Sequence, residues 1–131
     1  MGVPEGLFDS PLQTDQAKDF LNDPLHDMVL ALCGDEVIGM ASGQVMLHPD
    51  KTPAFFINEV GVRDTFLRKG IGTQLCLALK AVAEARGCDV IWLVTDSDNT
   101  AARALYRSLD AREITGVVVY DWDGPNVGQK R

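Results

Sequence analysis

The chain has 131 residues, of which 46% are hydrophobic and 24% are charged, and this composition predicts one soluble globular domain over residues 1–131. No apolar run approaches the ~20 residues that a membrane-spanning helix needs, and the first residues lack the basic and apolar regions of a secretory signal. The net charge of −7 disfavours nucleic-acid binding, which needs clustered Lys and Arg, whereas it is compatible with a cationic partner.

Hydrophobic patterning predicts one short helix and then three strands in the first half of the chain. Gly34 and Asp35 form a tight-turn signal between two apolar runs, which is typical of an antiparallel hairpin. Gly39 and Gly43, inside the second strand, indicate bulges or a close approach of backbones. The predicted helix is Leu12–Leu21, and the predicted strands are Met28–Cys33, Val37–Leu47 and Ala54–Val62.

The second half alternates helix and strand. Ile71–Arg86 carries one apolar stripe at helical spacing, and the short apolar run Val90–Val94 predicts a buried central strand with Trp92 in the core. A helix over Asn99–Leu109 and a last strand over Gly116–Trp122 follow, before a polar tail from about 124. The order predicts a mixed α/β domain in which the first three strands form a meander and the first long helix makes a parallel crossover.

The chain contains three cysteines, Cys33, Cys76 and Cys88. They form no CxxC pair and have no neighbouring histidine, so this odd, dispersed set argues against a disulfide framework and against a metal site. We therefore expect reduced thiols in a cytoplasmic protein, with Cys76 in a helix, Cys88 just before a strand, and both in the core.

The run Arg68-Lys69-Gly70-Ile71-Gly72-Thr73 stands where a strand ends and an amphipathic helix begins. Free backbone N–H groups and the helix dipole favour bound anions at such a place. Gly70 and Gly72 let a phosphate approach the backbone, while Arg68 and Lys69 add positive charge. The alternative is that the glycines only shape a tight turn. GxxxxGK[ST] and GxGxxG with a later acidic residue are both absent, which excludes the P-loop and the dinucleotide fingerprint.

Two motifs in this order resemble the GCN5-related N-acetyltransferase (GNAT) superfamily. The first runs from Glu59-Val60-Gly61-Val62 to Gly70-Ile71-Gly72-Thr73, where the family has an acyl-CoA loop of the form [QR]-x-x-G-x-[GA]. The second is Asp98 to Tyr106, where the family has an N-x-x-A-x-x-L-Y helix. The likeness covers Met28 to Trp122. It implies an acyl-CoA N-acyltransferase fold, acetyl-CoA as co-substrate, and acetyl transfer to an amine without a metal.

Three features depart from the family pattern. Leu67 stands where the family has its leading Arg or Gln, so Arg68 and Lys69 must supply the side-chain charge. Asp110 replaces a glycine after the Leu-Tyr segment, and because aspartate tolerates a left-handed backbone better than most residues, we expect the turn to survive. No strand signal precedes Leu12, so the predicted fold lacks the family's first strand.

The resemblance implies roles for cofactor binding. The strand Val60-Gly61-Val62 would hold the pantetheine arm through its backbone, as a strand holds an added strand. Asn99 would contact the cofactor through its amide, although Ser97-Asp98-Asn99 is equally typical of a helix cap. The pyrophosphate would lie on the loop formed by Arg68, Lys69, Gly70, Ile71, Gly72 and Thr73.

The resemblance also implies two catalytic residues. Tyr106 would donate a proton to the departing thiolate of coenzyme A; its alternative is core packing, since it lies on an apolar stripe with Ala102 and Leu109. Glu59 would act as the base that takes a proton from the attacking amine. Its alternatives are a partly solvated strand charge or an anchor for the substrate amine.

The substrate is predicted only by class. Residues 58–62 and 96–99 resemble the aminoglycoside 3-N-acetyltransferase branch, and Asp96, Asp98, Asp121 and Asp123 could line a cleft for a cationic amine. A protein or peptide N-acetyltransferase, a non-catalytic acyl-CoA-binding module and a scaffold without cofactor are the alternatives. Exposed strand edges are compatible with a homodimer.

Overall fold

The computed structural model describes residues 7–8 and 11–122. Three helices and four strands follow one another in those residues, with a single 3₁₀ turn over Asp64–Phe66 before the second helix. Each helix in this part of the chain falls short of the length and apolar character that a membrane span requires. The elements are α1 Thr14–Asn22, β1 His26–Cys33, β2 Glu36–Met46, β3 Ala54–Val62, α2 Ile71–Ala85, β4 Val90–Trp92 and α3 Thr100–Ser108.

The four strands form one mixed sheet in the order β1-β2-β3-β4. β1, β2 and β3 pair antiparallel, and β4 pairs parallel to β3. The predicted meander and parallel crossover are therefore confirmed, as is the class of fold. Within residues 7–8 and 11–13, no strand precedes α1; the lack of a first strand stays a prediction.

β3 contains a bulge that decides which side chains face α2. Ser42 pairs with Glu59 and Gly43 pairs with Ile57, so Asn58 has no partner on β2. The extra residue keeps Ile57 and Val60 on the same face, both packed in the core beneath α2. Glu59 consequently points to the other face of the sheet. The extra residue lies on β3 and not on β2, where the glycines had predicted a bulge or a close approach. The close approach is confirmed at Gly43, because a Cβ there would lie 2.3 Å from the Phe55 ring and 2.7 Å from the Phe56 carbonyl oxygen.

α2 packs across one face of the sheet and forms the main core. It ends in two hydrogen bonds that close a Schellman motif, from Gly87 N–H to the Glu84 carbonyl and from Cys88 N–H to the Ala83 carbonyl, with Gly87 at φ +79°. Cys76 and Cys88 are buried as predicted, Cys33 is exposed, and none of the three forms a disulfide. The buried side chains of α2 are Leu75, Cys76, Leu79 and Ala83, above Ala41, Val45, Phe55 and Ile57 of the sheet.

The opposite face of the sheet is covered by the N-terminal segment. Leu7 is only 3% exposed and forms a second buried cluster with Val37 and Met40. Phe8 and Met28 pack at the edge of this cluster. Leu7 and Phe8 therefore pack against the sheet, which the polar composition of the first residues did not predict.

Two strand predictions were wrong. β4 covers only Val90–Trp92 and lies at the edge of the sheet in the described residues, with Val90 57% and Trp92 41% exposed. Trp92 packs on Phe56 from the side, with ring centroids 4.6 Å apart. Gly116–Trp122 forms no strand, and Trp122 is 92% exposed. Both errors have one cause. A segment with strand-forming side chains becomes a strand only beside a strand with which it can pair. Because residues 116–122 do not pair with β4, they form no strand and β4 stays at the edge.

Candidate functional site

The first turn of α2 is arranged to receive an anion. Its N-cap, Gly70, has φ +78°, and Arg68 has φ +62°, so two left-handed residues precede the helix. Such turns aim successive backbone N–H groups toward one side. No side chain caps the helix, and its first turn contains no acidic residue. The N–H groups of Ile71, Gly72 and Thr73 therefore lack helical acceptors, and the helix dipole adds positive potential to them.

The side chains before this turn provide the nearby charge. Arg68 and Lys69 are exposed, and the Lys69 ammonium lies 5.5 Å from the centroid of the Phe66 ring. Arg63, by contrast, forms an ion pair with Glu36. Leu67 is half exposed at the end of the 3₁₀ turn. The loop thus offers backbone donors and two adjacent cations, but no guanidinium or amide at position 67.

Gly39 brings α2 close to the predicted pantetheine strand. A Cβ at Gly39 would lie 3.0 Å from Leu75, 3.3 Å from Ile71 and 3.3 Å from the carbonyl oxygen of Gly61. The first turns of α2 consequently pack beside the end of β3. Two of the three segments singled out by the sequence, the anion loop and the strand Val60–Val62, are therefore neighbours in space.

The ladder between β3 and β4 is short. It joins only Ala54–Phe56 to Val90–Trp92. Beyond Phe56, the edge of β3 that faces β4 has no ladder partner among the described strands, and this stretch includes the bulge and Val60–Val62. A narrow, extended ligand could hydrogen-bond to that edge as an added strand does.

Gly61 accommodates a segment of the chain itself. A Cβ at this position would lie only 2.3 Å from the carbonyl oxygen of Leu7. Leu7 therefore makes a close backbone approach to Gly61, on the face away from α2. Cofactor contact with Gly61 would have to use the backbone edge of the strand.

Glu59 lies on this same face, half buried and opposite Ser42, whose side chain is buried. Its carboxylate therefore starts from the face of β3 that does not carry α2. Glu59 therefore lies outside the core under α2.

Asn99 caps α3. Its side-chain oxygen accepts a hydrogen bond of 3.0 Å from the N–H of Ala102. The capping alternative is therefore correct, and the amide nitrogen is the part of the side chain that a cofactor could use. At the other end, Asp110 adopts φ +62° and completes a Schellman motif through bonds from its own N–H and that of Ala111. The predicted tolerance of Asp110 is confirmed.

Tyr106 is half-buried on α3, near the first turns of α2. Leu105, beside it, comes within 3.6 Å of a Cβ placed at Gly72. Burial, and then the neighbouring Cys76, raise the pKa of Tyr106 to about 12. The sequence analysis assigned Cys76 only to the core, although its spacing of four residues from Gly72 places both on one side of α2.

Glu113, which follows α3, forms ion pairs with two arginines of that helix. Its carboxylate accepts hydrogen bonds from Arg103 at 3.0 Å and from Arg107 at 2.7 Å, and these two partners lower the pKa of Glu113 to about 2. Arg103 also donates to the carbonyl of Ser97 at 2.6 Å. The network ties residues 97 and 113 to α3 and borders a groove of about 550 Å³ next to Tyr106.

Asp96, Asp98 and Asp121 are all exposed, and the fourth predicted cleft residue, Asp123, lies outside the described residues. In the described part of the chain, no three His, Cys, Asp or Glu side chains lie close enough together to hold a metal ion. The groups that the described residues offer near the two predicted segments are backbone N–H donors, the Glu59 carboxylate and the Tyr106 phenol.

The described residues thus form a mixed α/β fold in which a short parallel ladder ends near a helix that begins with a glycine N-cap. The chain belongs to the acetyltransferase (GNAT) family, whose model matches residues 3–110. The family resemblance inferred from the two motifs is confirmed.

Two curated relatives match part of the chain. The chain is 35% identical over 68 residues to GCN5-related N-acetyltransferase 4, chloroplastic, of Arabidopsis thaliana, which is 52% of this chain and 23% of that protein. It is 36% identical over 81 residues to [ribosomal protein bS18]-alanine N-acetyltransferase of Salmonella typhimurium, which is 62% of this chain and 51% of that protein. The chain thus spans about a quarter of the length of the Arabidopsis protein and about half of the length of the Salmonella protein.

Solved structures share the fold. An aminoglycoside acetyltransferase from an uncultured soil metagenomic sample, in complex with trehalose, superposes with a TM-score of 0.77 at 21% identity, over 87% of this chain and 77% of that one. AAC(6')-Iy in complex with the bisubstrate analogue CoA-S-monomethyl-acetylneamine superposes with a TM-score of 0.74 at 20% identity, over 85% and 78%. At these identities, the likeness concerns the fold.

Proposed function

We propose that this chain is an N-acetyltransferase that moves an acetyl group from acetyl-CoA to a primary amine by direct attack. The observation that carries the proposal is the meeting, within the family-matched residues, of the uncapped start of α2 with the unpaired edge of β3. An anion site and an extended-ligand site side by side suit the pyrophosphate and pantetheine arm of one coenzyme.

The cofactor residues follow from this placement. The pyrophosphate accepts hydrogen bonds from the N–H groups of Gly70, Ile71, Gly72 and Thr73, with Arg68 and Lys69 adding charge. The pantetheine arm pairs with Val60, Gly61 and Val62, and the amide nitrogen of Asn99 donates to the coenzyme. Support comes from the left-handed backbone before α2 and from the short ladder between β3 and β4, which leaves Val60–Val62 without a partner on β4.

The chemistry uses three groups of β3 and α3. Glu59 takes a proton from the amine, directly or through water, so that the nitrogen can attack the thioester carbonyl. A backbone N–H near Val60 polarises that carbonyl, and Tyr106 gives a proton to the departing thiolate. Most of the acceleration comes from holding the two reactants in one geometry.

The acceptor is proposed to be a small cationic amine, such as an aminoglycoside. The net charge of −7, the exposed Asp96, Asp98 and Asp121, and the aminoglycoside acetyltransferases among the fold neighbours support this class. A protein or peptide amine is the second candidate, because a relative at 36% identity acts on ribosomal protein bS18 alanine. We further propose a cytoplasmic homodimer, supported by free thiols and by exposed apolar residues along β4.

Calorimetric titration with acetyl-CoA tests cofactor binding, and release of free coenzyme A in the presence of kanamycin-like amines or an alanine-initiated peptide tests transfer. We expect binding, and turnover with one class of amine above the rate of thioester hydrolysis. The variants Tyr106→Phe and Glu59→Gln should bind acetyl-CoA as the parent does while losing turnover. Binding without turnover on either amine class would make the chain an acyl-CoA-binding module, and no heat on titration would overturn the proposal.

A further inference from the structure

The groove next to α3 separates two segments of backbone that have no ladder between them. β4 is the last strand of the sheet in the described residues, so only one of its edges is paired. The groove, of about 550 Å³, is lined by residues 91–97, which include the end of β4, and by residues 111–117 and 119. Because no ladder joins these two segments in the described part of the chain, the free edge of β4 opens into the groove.

The strand pattern of β4 continues beyond its last paired residue. Ile91 and Leu93 pack against the core under α2, whereas Trp92 and Val94 are 41% and 56% exposed. This alternation is that of a strand, although the ladder with β3 ends at Trp92. Residues 93–94 are therefore already arranged as a strand edge, and an added strand in the groove would find acceptors and donors there.

The segment on the other side of the groove is strand-forming and exposed at once. Val117–Val119 are 68–70% exposed, Ile114 is 64% exposed and Tyr120 is 84% exposed. β-branched and aromatic residues favour strands, and a soluble monomer rarely leaves such a run uncovered. Together with the exposed side chains of β4, the apolar surface is on the order of 1,000 Å² per copy, and a stable interface buries about 800 Å² in each partner.

The composition of the chain favours residues 114–120 as the strand that fills the groove. They contain five large apolar side chains within seven residues. Residues 123–131 contain only Pro125 and Val127 as apolar residues, among glycines, amides and charged side chains. A groove with apolar walls is therefore better matched by residues 114–120 of a second copy than by the end of the same chain.

We propose that residues 114–120 of one copy enter the groove of a second copy and pair with the free edge of its β4, so that two copies exchange strands about a two-fold axis. The order across the interface is β4 of one copy, residues 114–120 of its partner, its own residues 114–120, and β4 of the partner. Each exchanged segment lies in the groove of the other copy, so one arrangement fills both grooves. The two exchanged segments run antiparallel to each other, and backbone hydrogen bonds join them into one continuous sheet.

This inference rests on the homodimer proposed above and names its interface, and it does not depend on the transfer reaction. The first test is analytical ultracentrifugation over a wide range of protein concentration, in which the parent should sediment as a dimer. Val119→Lys should raise the dimer Kd at least about tenfold, because the new charge enters the interface twice. Val119 lines the groove and is 70% exposed in the single copy, so circular dichroism should show the parent fold in this variant.

The matched control is Leu47→Lys, which places the same charge at a 67% exposed leucine just after β2. It should keep the parent Kd for dimerisation. A monomeric parent, or a Val119→Lys variant that dimerises as the parent does, would overturn the inference. Calorimetric titration with acetyl-CoA separates this result from the proposed function, since a monomer that binds acetyl-CoA loses the interface and keeps the cofactor site.

Disulfide trapping tests the geometry of the exchange. In a Cys33→Ser background, which removes the exposed thiol and leaves the two buried ones, a single cysteine is placed at each position from 115 to 120. Because the two segments are antiparallel about a two-fold axis, the position nearest the axis meets its own copy within disulfide range. We expect a linked dimer from at least one position on mild oxidation, and none from Leu47→Cys in the same background.

Two further outcomes would contradict the exchange. A dimeric parent that gives no linked dimer at any position from 115 to 120 would have its interface elsewhere. Amide hydrogen exchange that is slow at residues 117–119 in a monomer would assign the groove to another segment of the same chain. Either result would overturn the inference.

Discussion

Gly72 provides the sharpest test of the anion site, because its replacement by alanine should separate folding from cofactor binding. A Cβ at Gly72 would meet only Leu105, at 3.6 Å, which is ordinary van der Waals contact. The residue lies in the first turn of α2 with no left-handed backbone. Alanine is favoured over glycine inside helices by up to about 1 kcal/mol, so Gly72→Ala should fold at least as stably as the parent.

Binding of acetyl-CoA should weaken in the same variant. The added methyl group stands next to the N–H groups that are proposed to receive the pyrophosphate, and it keeps the phosphate oxygens from reaching them. We expect Kd to rise about tenfold, which is about 1.4 kcal/mol, and a bulkier Gly72→Val variant to abolish binding. Titration calorimetry measures Kd, and denaturant unfolding measures stability.

The matched control for Gly72→Ala is Gln74→Ala, an exposed substitution on the next turn of α2. It should leave both stability and Kd near the parent values. Parent-like affinity in Gly72→Ala and Gly72→Val would refute the backbone anion site. A loss of stability in Gly72→Ala would contradict the packing argument instead.

Three further predictions concern other parts of the molecule. Gly61→Ala places a methyl group 2.3 Å from the Leu7 carbonyl, so it should lower the free energy of unfolding by ~1–3 kcal/mol while changing Kd for acetyl-CoA little. Glu113 has its pKa lowered from 4.5 to about 2 by two arginines of α3; its ion pairs therefore stabilise the fold above pH 4.5 and lose that effect as pH falls toward 2. Glu113→Gln should thus be less stable than the parent at neutral pH, and the difference should vanish in acid. Leu67→Arg should tighten acetyl-CoA binding at low salt, because a guanidinium bonds phosphate oxygens directly.

Each of these has a contrary outcome. A free energy of unfolding in denaturant that is the same for Gly61→Ala and the parent would contradict the close contact between Gly61 and Leu7. A constant stability difference between Glu113→Gln and the parent from pH 7 to pH 2 would contradict the ion-pair network. Equal affinities of Leu67→Arg and the parent, with equal dependence on salt, would place position 67 away from the phosphates.

Local patterns predicted most helices and strands and the order in which the first three strands pair, but they did not predict the register of that pairing. Ala54–Val62 matches β3 at both ends, and α2 begins at Ile71 as predicted, since propensity and periodicity report what a segment forms. The bulge at Asn58 has no local signature, because it depends on the register with β2. The error at Gly116–Trp122 has the same origin: its β-branched run favours a strand, but strand formation depends on a partner edge.

The approach of α3 to α2 was beyond prediction for a related reason. Cys76 is buried as predicted, whereas Tyr106 is half-buried and its acid role stays a prediction. Only the fold brings Leu105 of α3 to the first turn of α2 at Gly72.

The unpaired edge of β3 depends on the presence of one extra residue at position 58, and not on which amino acid stands there. Ile57 and Glu59 hold their places through their partners on β2, so another side chain at the exposed position 58 would leave the bend intact. Removing the residue altogether would keep every remaining side chain on its present face and leave a regular ladder. β3 would then lose the bend that a bulge imposes and could run alongside β4 for its full length. The edge of β3 that now lacks a partner would then be occupied by β4, while the core under α2 would stay unchanged.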